Sequence, residues 1–79
     1  MITHYVDRAL ARARYQLLPD GTFAATVRGL RGVVATADTL EGCRRDLAEV
    51  VEEWLLVRVA RGLPVPSIDG ATVRVRRAS

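Results

Sequence analysis

Lysine is missing altogether: all twelve basic side chains among the 79 residues are arginine. Arginine's planar fork suits bidentate contacts with carboxylates and phosphates. The plain alternative is the coding bias of a GC-rich genome. A single cysteine excludes an internal disulfide, and the default compartment is then the cytoplasm. One cysteine and one histidine also exclude the usual zinc ligand sets. Aromatic residues make up only 5% of the chain, with no run interleaved with basic residues, so a row of stacking platforms is not expected. No apolar stretch approaches the ~20 residues of a membrane span. The first residues include His4, Asp7 and Arg8, without the uninterrupted apolar segment of a signal peptide.

What is present is 49% hydrophobic and 27% charged, which fits one domain over residues 1–79. A domain near this size buries only about 60% of the surface that its unfolded chain exposes. Its core is thin, so a homo-oligomer (dimer or larger) is expected. The net charge of +3 permits contact with nucleic acid without arguing for it. Residues 1–39 carry five Arg against three Asp, and residues 61–79 carry four Arg against one Asp. Between them, residues 40–60 carry three Arg against five acids, so an acidic middle separates two basic ends.

Ile2, Val6, Ala9, Leu10 and Ala13 recur at helical spacing, and predict a short helix over 3–12 with Thr3 as its cap. Pro19-Asp20-Gly21 then stands between two β-compatible runs, which reads as a hairpin. Phe23, Ala25 and Val27 share one face of the second strand. Gly29 and Gly32 punctuate a loop, and a third strand follows over 33–37. Asp38 with Glu41 reads as a capping-box variant. Behind it lies the clearest element of the chain. Leu40, Cys43, Leu47, Val50, Val51, Trp54 and Leu55 form one stripe, and Gly62 and Pro64 end the helix. Residues 71–77 alternate strictly and predict a last strand. The order α-β-β-β-α-β implies a two-layer α+β domain with a mainly antiparallel sheet.

Four segments together resemble the HicB-like antitoxin family. Asp20-Gly21-Thr22-Phe23 is similar to its D-G-x-aromatic strand start. Gly29-Leu30-Arg31-Gly32-Val33 stands at the place of its short glycine loop. Asp38-Thr39-Leu40-Glu41 looks like its D-T-x-E helix start, and Arg61-Gly62-Leu63-Pro64-Val65-Pro66 like its R-G-x-P-x-P exit. The resemblance covers about residues 15–67. It implies a partial RNase H-like fold and a role in neutralising a small RNA-cleaving toxin of the HicA type. Few residues follow the Pro-Val-Pro segment, so the chain is expected to be this domain standing alone, without an evident C-terminal DNA-binding module.

No catalytic constellation is legible, and no catalytic residue, cofactor or metal is expected. His4 lies near a terminus, with no orienting partner in view. Cys43 sits on the apolar stripe and reads as a small core hydrophobe. Asp20 and Asp38 have structural work in a turn and at a cap, which leaves no converging carboxylate pair for magnesium-assisted hydrolysis. Asp46, Glu49, Glu52 and Glu53 fall on the outward arc of the long helix. An acidic face of this kind suits a basic partner; the alternative is a solvated helix face. Arg28, Arg31, Arg74 and Arg76 are candidate phosphate contacts. Their alternatives are a plain turn and a charged strand edge that guards against aggregation. Trp54 reads as core. The leading expectation is a protein-interaction domain of the antitoxin kind. The second is a small nucleic-acid-binding module without sequence readout.

Overall fold

A computed structural model describes residues 2–68 of the chain. The order is α1 (Ile2–Ala11), β1 (Ala13–Leu17), β2 (Phe23–Val27), β3 (Val34–Ala37) and α2 (Leu40–Ala60). The three strands form one antiparallel sheet in the order β1-β2-β3. This is the expected α+β arrangement as far as the end of α2. The strand expected over 71–77 lies outside the described residues.

The hairpin follows from its turn chemistry. Leu18 donates its N–H to the Thr22 carbonyl at 2.8 Å, and Gly21 donates back to Leu18 at 3.0 Å. The three-residue loop needs a left-handed residue at its end, and Gly21 supplies it at φ 87°. Asp20 ties the loop to its exit: its Oδ1 accepts from the Thr22 amide at 3.0 Å and the Thr22 hydroxyl at 2.6 Å. The register places Tyr15 opposite Ala25 and Leu17 opposite Phe23; across the sheet, Ala25 stands opposite Ala35. These residues share the face that meets the helices, where Ala25, Val27 and Ala35 are buried. The opposite face carries Arg14, Gln16, Thr26, Val34 and Thr36, all exposed.

α2 packs on β2 and β3, and α1 packs against α2. The inner side of α2 buries Cys43, Leu47, Val51 and Leu55, with Val50 and Trp54 at the margin of the core. From α1 the core takes Tyr5 and Ala9, and Ile68 closes it at the far end. The expected α1 stripe therefore needs correction. Its centre is Tyr5–Ala9 at i,i+4, with Val6 and Leu10 at the margin, and Ala13 already belongs to β1. Helix α1 begins at Ile2, so Thr3 is a helical residue and not the cap.

The start of α2 is corrected too. Its N-cap is Thr39, not Asp38. Thr39 has extended backbone, and its Oγ1 accepts from the Gly42 amide at 3.0 Å. Gly42 makes room for this bond, since a Cβ there would stand 2.9 Å from Thr39 Oγ1. Leu40 lies on the azimuth of the stripe but is 48% exposed, because the first helical residue has nothing packed over it. The exit is a Schellman motif. Leu63 donates to the Arg58 carbonyl at 2.8 Å and Gly62 to the Val59 carbonyl at 3.1 Å, with Gly62 at φ 67°.

Beyond α2 the chain runs without regular secondary structure through its prolines, each of which keeps its predecessor out of the helical region. Two side chains hold it down. Arg58 Nε donates to the Pro64 carbonyl at 2.7 Å, and the buried Tyr5 hydroxyl donates to the Pro66 carbonyl, 61 residues away. Burial pushes the Tyr5 hydroxyl pKa up, and the nearby Arg58 charge partly opposes this.

Candidate interaction surface

The outward side of α2 gathers the acidic residues, because helical geometry sets side chains three and four apart on one face. Glu49, Glu52 and Glu53, together with Leu56, line a shallow groove of about 350 Å³. Asp46 is exposed one turn earlier and is not part of that groove. Its charge is felt instead at Cys43, whose thiol pKa is raised first by burial and then by the Asp46 carboxylate. The Cys43 sulfur lies 3.5 Å from the Ala35 carbonyl oxygen and 3.6 Å from that of Phe23. A fully buried thiol held in its protonated form is a packing group, the opposite of an activated nucleophile.

Two apolar residues follow the acids on the same stretch of helix. Leu56 is 48% exposed and Val57 is 49% exposed. Like-charge pairs at i,i+3 and i,i+4 destabilise a helix by about 0.2–0.5 kcal/mol each. Glu49 forms such pairs with both Glu52 and Glu53, so folding gains nothing from this grouping. An acidic groove beside exposed aliphatic side chains is suited to a partner with a basic rim and an apolar centre.

A second cluster lies at the C-terminal end of α2. The Arg58 guanidinium sits 5.0 Å from the centroid of the Trp54 ring, within cation–π range. Both residues line two recesses. The larger, about 460 Å³, adds Val50, Glu53, Val57, Arg61 and Leu63. The smaller, about 200 Å³, adds Gly29, Arg31 and Pro66. The loop before β3 brings Arg31 here through two successive turns, closed by Leu30 N–H to the Val27 carbonyl and Val33 N–H to the Leu30 carbonyl. Gly29 at φ 92° and Gly32 at φ 80° make those turns possible.

The candidate residues thus separate. The structure brings together Glu49, Glu52 and Glu53, and leaves Asp46 outside the groove. It brings Arg31 to α2, while Arg28 is exposed in the first of the two turns and lines neither recess. Arg74 and Arg76 lie outside the described residues. Trp54 and Arg58 are the residues that the sequence reading does not assign to a site. Trp54 does touch the core, as its place on the stripe requires, and it also walls two surface recesses. The i,i+4 pairing of a Trp with an Arg near a helix end is the available signal.

The fold has a close counterpart among solved structures. The crystal structure of TTHA0281 from Thermus thermophilus matches with a TM-score of 0.88 and 32% sequence identity, covering 96% of this chain and 95% of that one. No curated protein matches the chain. The UPF0150-like family matches residues 4–66, a span that runs from α1 to the proline whose carbonyl Tyr5 holds. By that match the chain belongs to the UPF0150-like family.

Proposed function

We propose that the protein is a non-catalytic interaction domain of the HicB antitoxin kind, which binds and masks a small basic RNA-cleaving toxin of the HicA type. The observation that carries this reading is the outer side of α2. Glu49, Glu52 and Glu53 form one acidic groove with the exposed Leu56, and the exposed Val57 follows in the adjoining recess. An RNA-cleaving toxin holds phosphates and is basic at that surface. An acidic helix face covers such a surface and speeds the encounter, while the aliphatic pair supplies the desolvated centre. Membership of the UPF0150-like family is compatible with this role. The protein acts as a homo-oligomer in this reading, since so small a core is supplemented by association.

The test is capture from the native host with tagged protein, followed by mass spectrometry. Wild type retains a small basic protein whose RNA cleavage it suppresses. The Glu49→Lys/Glu52→Lys/Glu53→Lys variant melts normally and loses that protein. A wild-type eluate without a basic partner overturns the reading, as does a variant that keeps it. Light scattering at tens of micromolar checks the assembly, and a mass near 8.7 kDa rejects it.

A further inference from the structure

We infer that the Arg31–Trp54–Arg58 cluster is a binding site for a nucleoside phosphate, taken either as a free nucleotide or as one unit of a single-stranded RNA. The site adjoins the acidic groove, with Glu53 on the wall between them, but it does not rest on the toxin-masking reading. Its two arginines come from different elements, the loop before β3 and the end of α2, and line one recess of about 200 Å³. Arg58 uses its Nε on the Pro64 carbonyl, which fixes the guanidinium and leaves its two outer nitrogens as donors. Arg31 is exposed and lines the same recess. Two arginines lining one recess match a phosphate group better than any neutral ligand. Gly29 completes the wall with no side chain, so an oxyanion can approach the backbone closely.

The choice of a nucleoside over a bare oxyanion rests on the shared wall. Trp54 and Arg58 also line the adjoining recess of about 460 Å³, whose apolar surface is given by Val50, Trp54, Val57 and Leu63 and whose charged rim carries Glu53 and Arg61. A phosphate between Arg31 and Arg58 carries its sugar and base directly onto that surface. Planar bases gain from contact with indole and guanidinium planes in a sequence-tolerant way. The site therefore holds one nucleotide without reading its identity.

Trp54 is the chain's one tryptophan, so its fluorescence reports on the site directly. Full-length protein is titrated with adenosine monophosphate, with inorganic phosphate, with a short oligoribonucleotide and with an acidic peptide. Saturable quenching by adenosine monophosphate is expected, with phosphate alone binding at least tenfold more weakly. Arg31→Ala weakens the nucleotide about tenfold, the loss of one charge-assisted contact. Arg14→Ala, the same charge change on the far face of the sheet, leaves it unchanged. Val57→Ser weakens nucleotide but not phosphate. Tighter binding of the oligoribonucleotide than of the mononucleotide identifies a strand as the source, and equal binding identifies a free nucleotide. Four outcomes overturn the inference: no saturable quenching, phosphate binding as well as nucleotide, the acidic peptide binding more tightly than either, or an Arg14→Ala loss equal to that of Arg31→Ala.

Discussion

The two sides of α2 are made from the same 21 residues and answer to different physics. Inside, Cys43, Leu47, Val51 and Leu55 are fully buried and follow steps of four. Outside, Glu49, Glu52 and Glu53 repel one another beside an exposed Leu56 and Val57. The inner side is constrained at every position, since a small core has no slack in its packing. The outer side contributes little to folding, so its composition is free to be set by whatever it meets. Contact with a partner is therefore to be sought where stability is indifferent.

The largest expected effect lies inside. Leu47→Ala removes a fully buried side chain from the centre of the helix–sheet contact. Such truncations destabilise by about 2–5 kcal/mol. That is a large share of the stability of a domain this size. The shift in urea midpoint measures it, and a shift worth less than about 1 kcal/mol would show that α2 does not seat as described.

A smaller effect separates the two helix-facing tyrosines. The Tyr5 hydroxyl donates to Pro66, whereas the buried Tyr15 hydroxyl has no hydrogen-bond partner among the described residues. Tyr5→Phe leaves a carbonyl without its donor and loses about 0.5–1.5 kcal/mol. Tyr15→Phe removes an unsatisfied hydroxyl, and is neutral or stabilising by up to about 1 kcal/mol. Equal losses in the two variants, measured by thermal melts, would break the distinction. Smaller still is Leu56→Ala on the outer side of α2, expected to stay within about 0.5 kcal/mol of wild type. A loss near that of Leu47→Ala would mean that the outer side is covered in solution.

What is legible in the sequence follows the same division. Local patterns carry α2, the hairpin and the antiparallel sheet, because Pro19-Asp20-Gly21 and the steps of the stripe act within a few residues of themselves. The N-cap falls one position later than the pattern alone places it. Asp38 and Thr39 are both good caps, and the choice falls to the residue with extended backbone, Thr39 at φ −126° and ψ 158°. Tyr5 escapes a local reading, since its partner, Pro66, is 61 residues away and no periodicity registers it. The acidic groove is legible apart from Asp46, because helical spacing alone places its three glutamates. The arginine recess is not, because two turns must fold back before Arg31 and Arg58 share a wall.

The exposed turn of the hairpin offers the finest test, since a surface charge there has local partners. The Asp20 carboxyl is held below its ordinary pKa, chiefly by the Thr22 hydroxyl and then by the Thr22 amide. The fold therefore favours the ionised form. The resulting stabilisation is fully present above the ordinary carboxylate range, near pH 4, and is lost as pH falls through the lowered folded value. Full exposure keeps the effect small. Asp20→Ala removes the linked part along with the turn preference, which does not depend on pH. Urea midpoints of wild type and variant at about pH 6, 4 and 2.5 separate the two. The gap is expected to be widest at the highest pH and to narrow towards the lowest. A gap that holds constant would mean that Asp20 acts through turn shape alone. One that widens in acid would contradict the hydrogen bonds to Thr22, because protonation would then be strengthening the native turn.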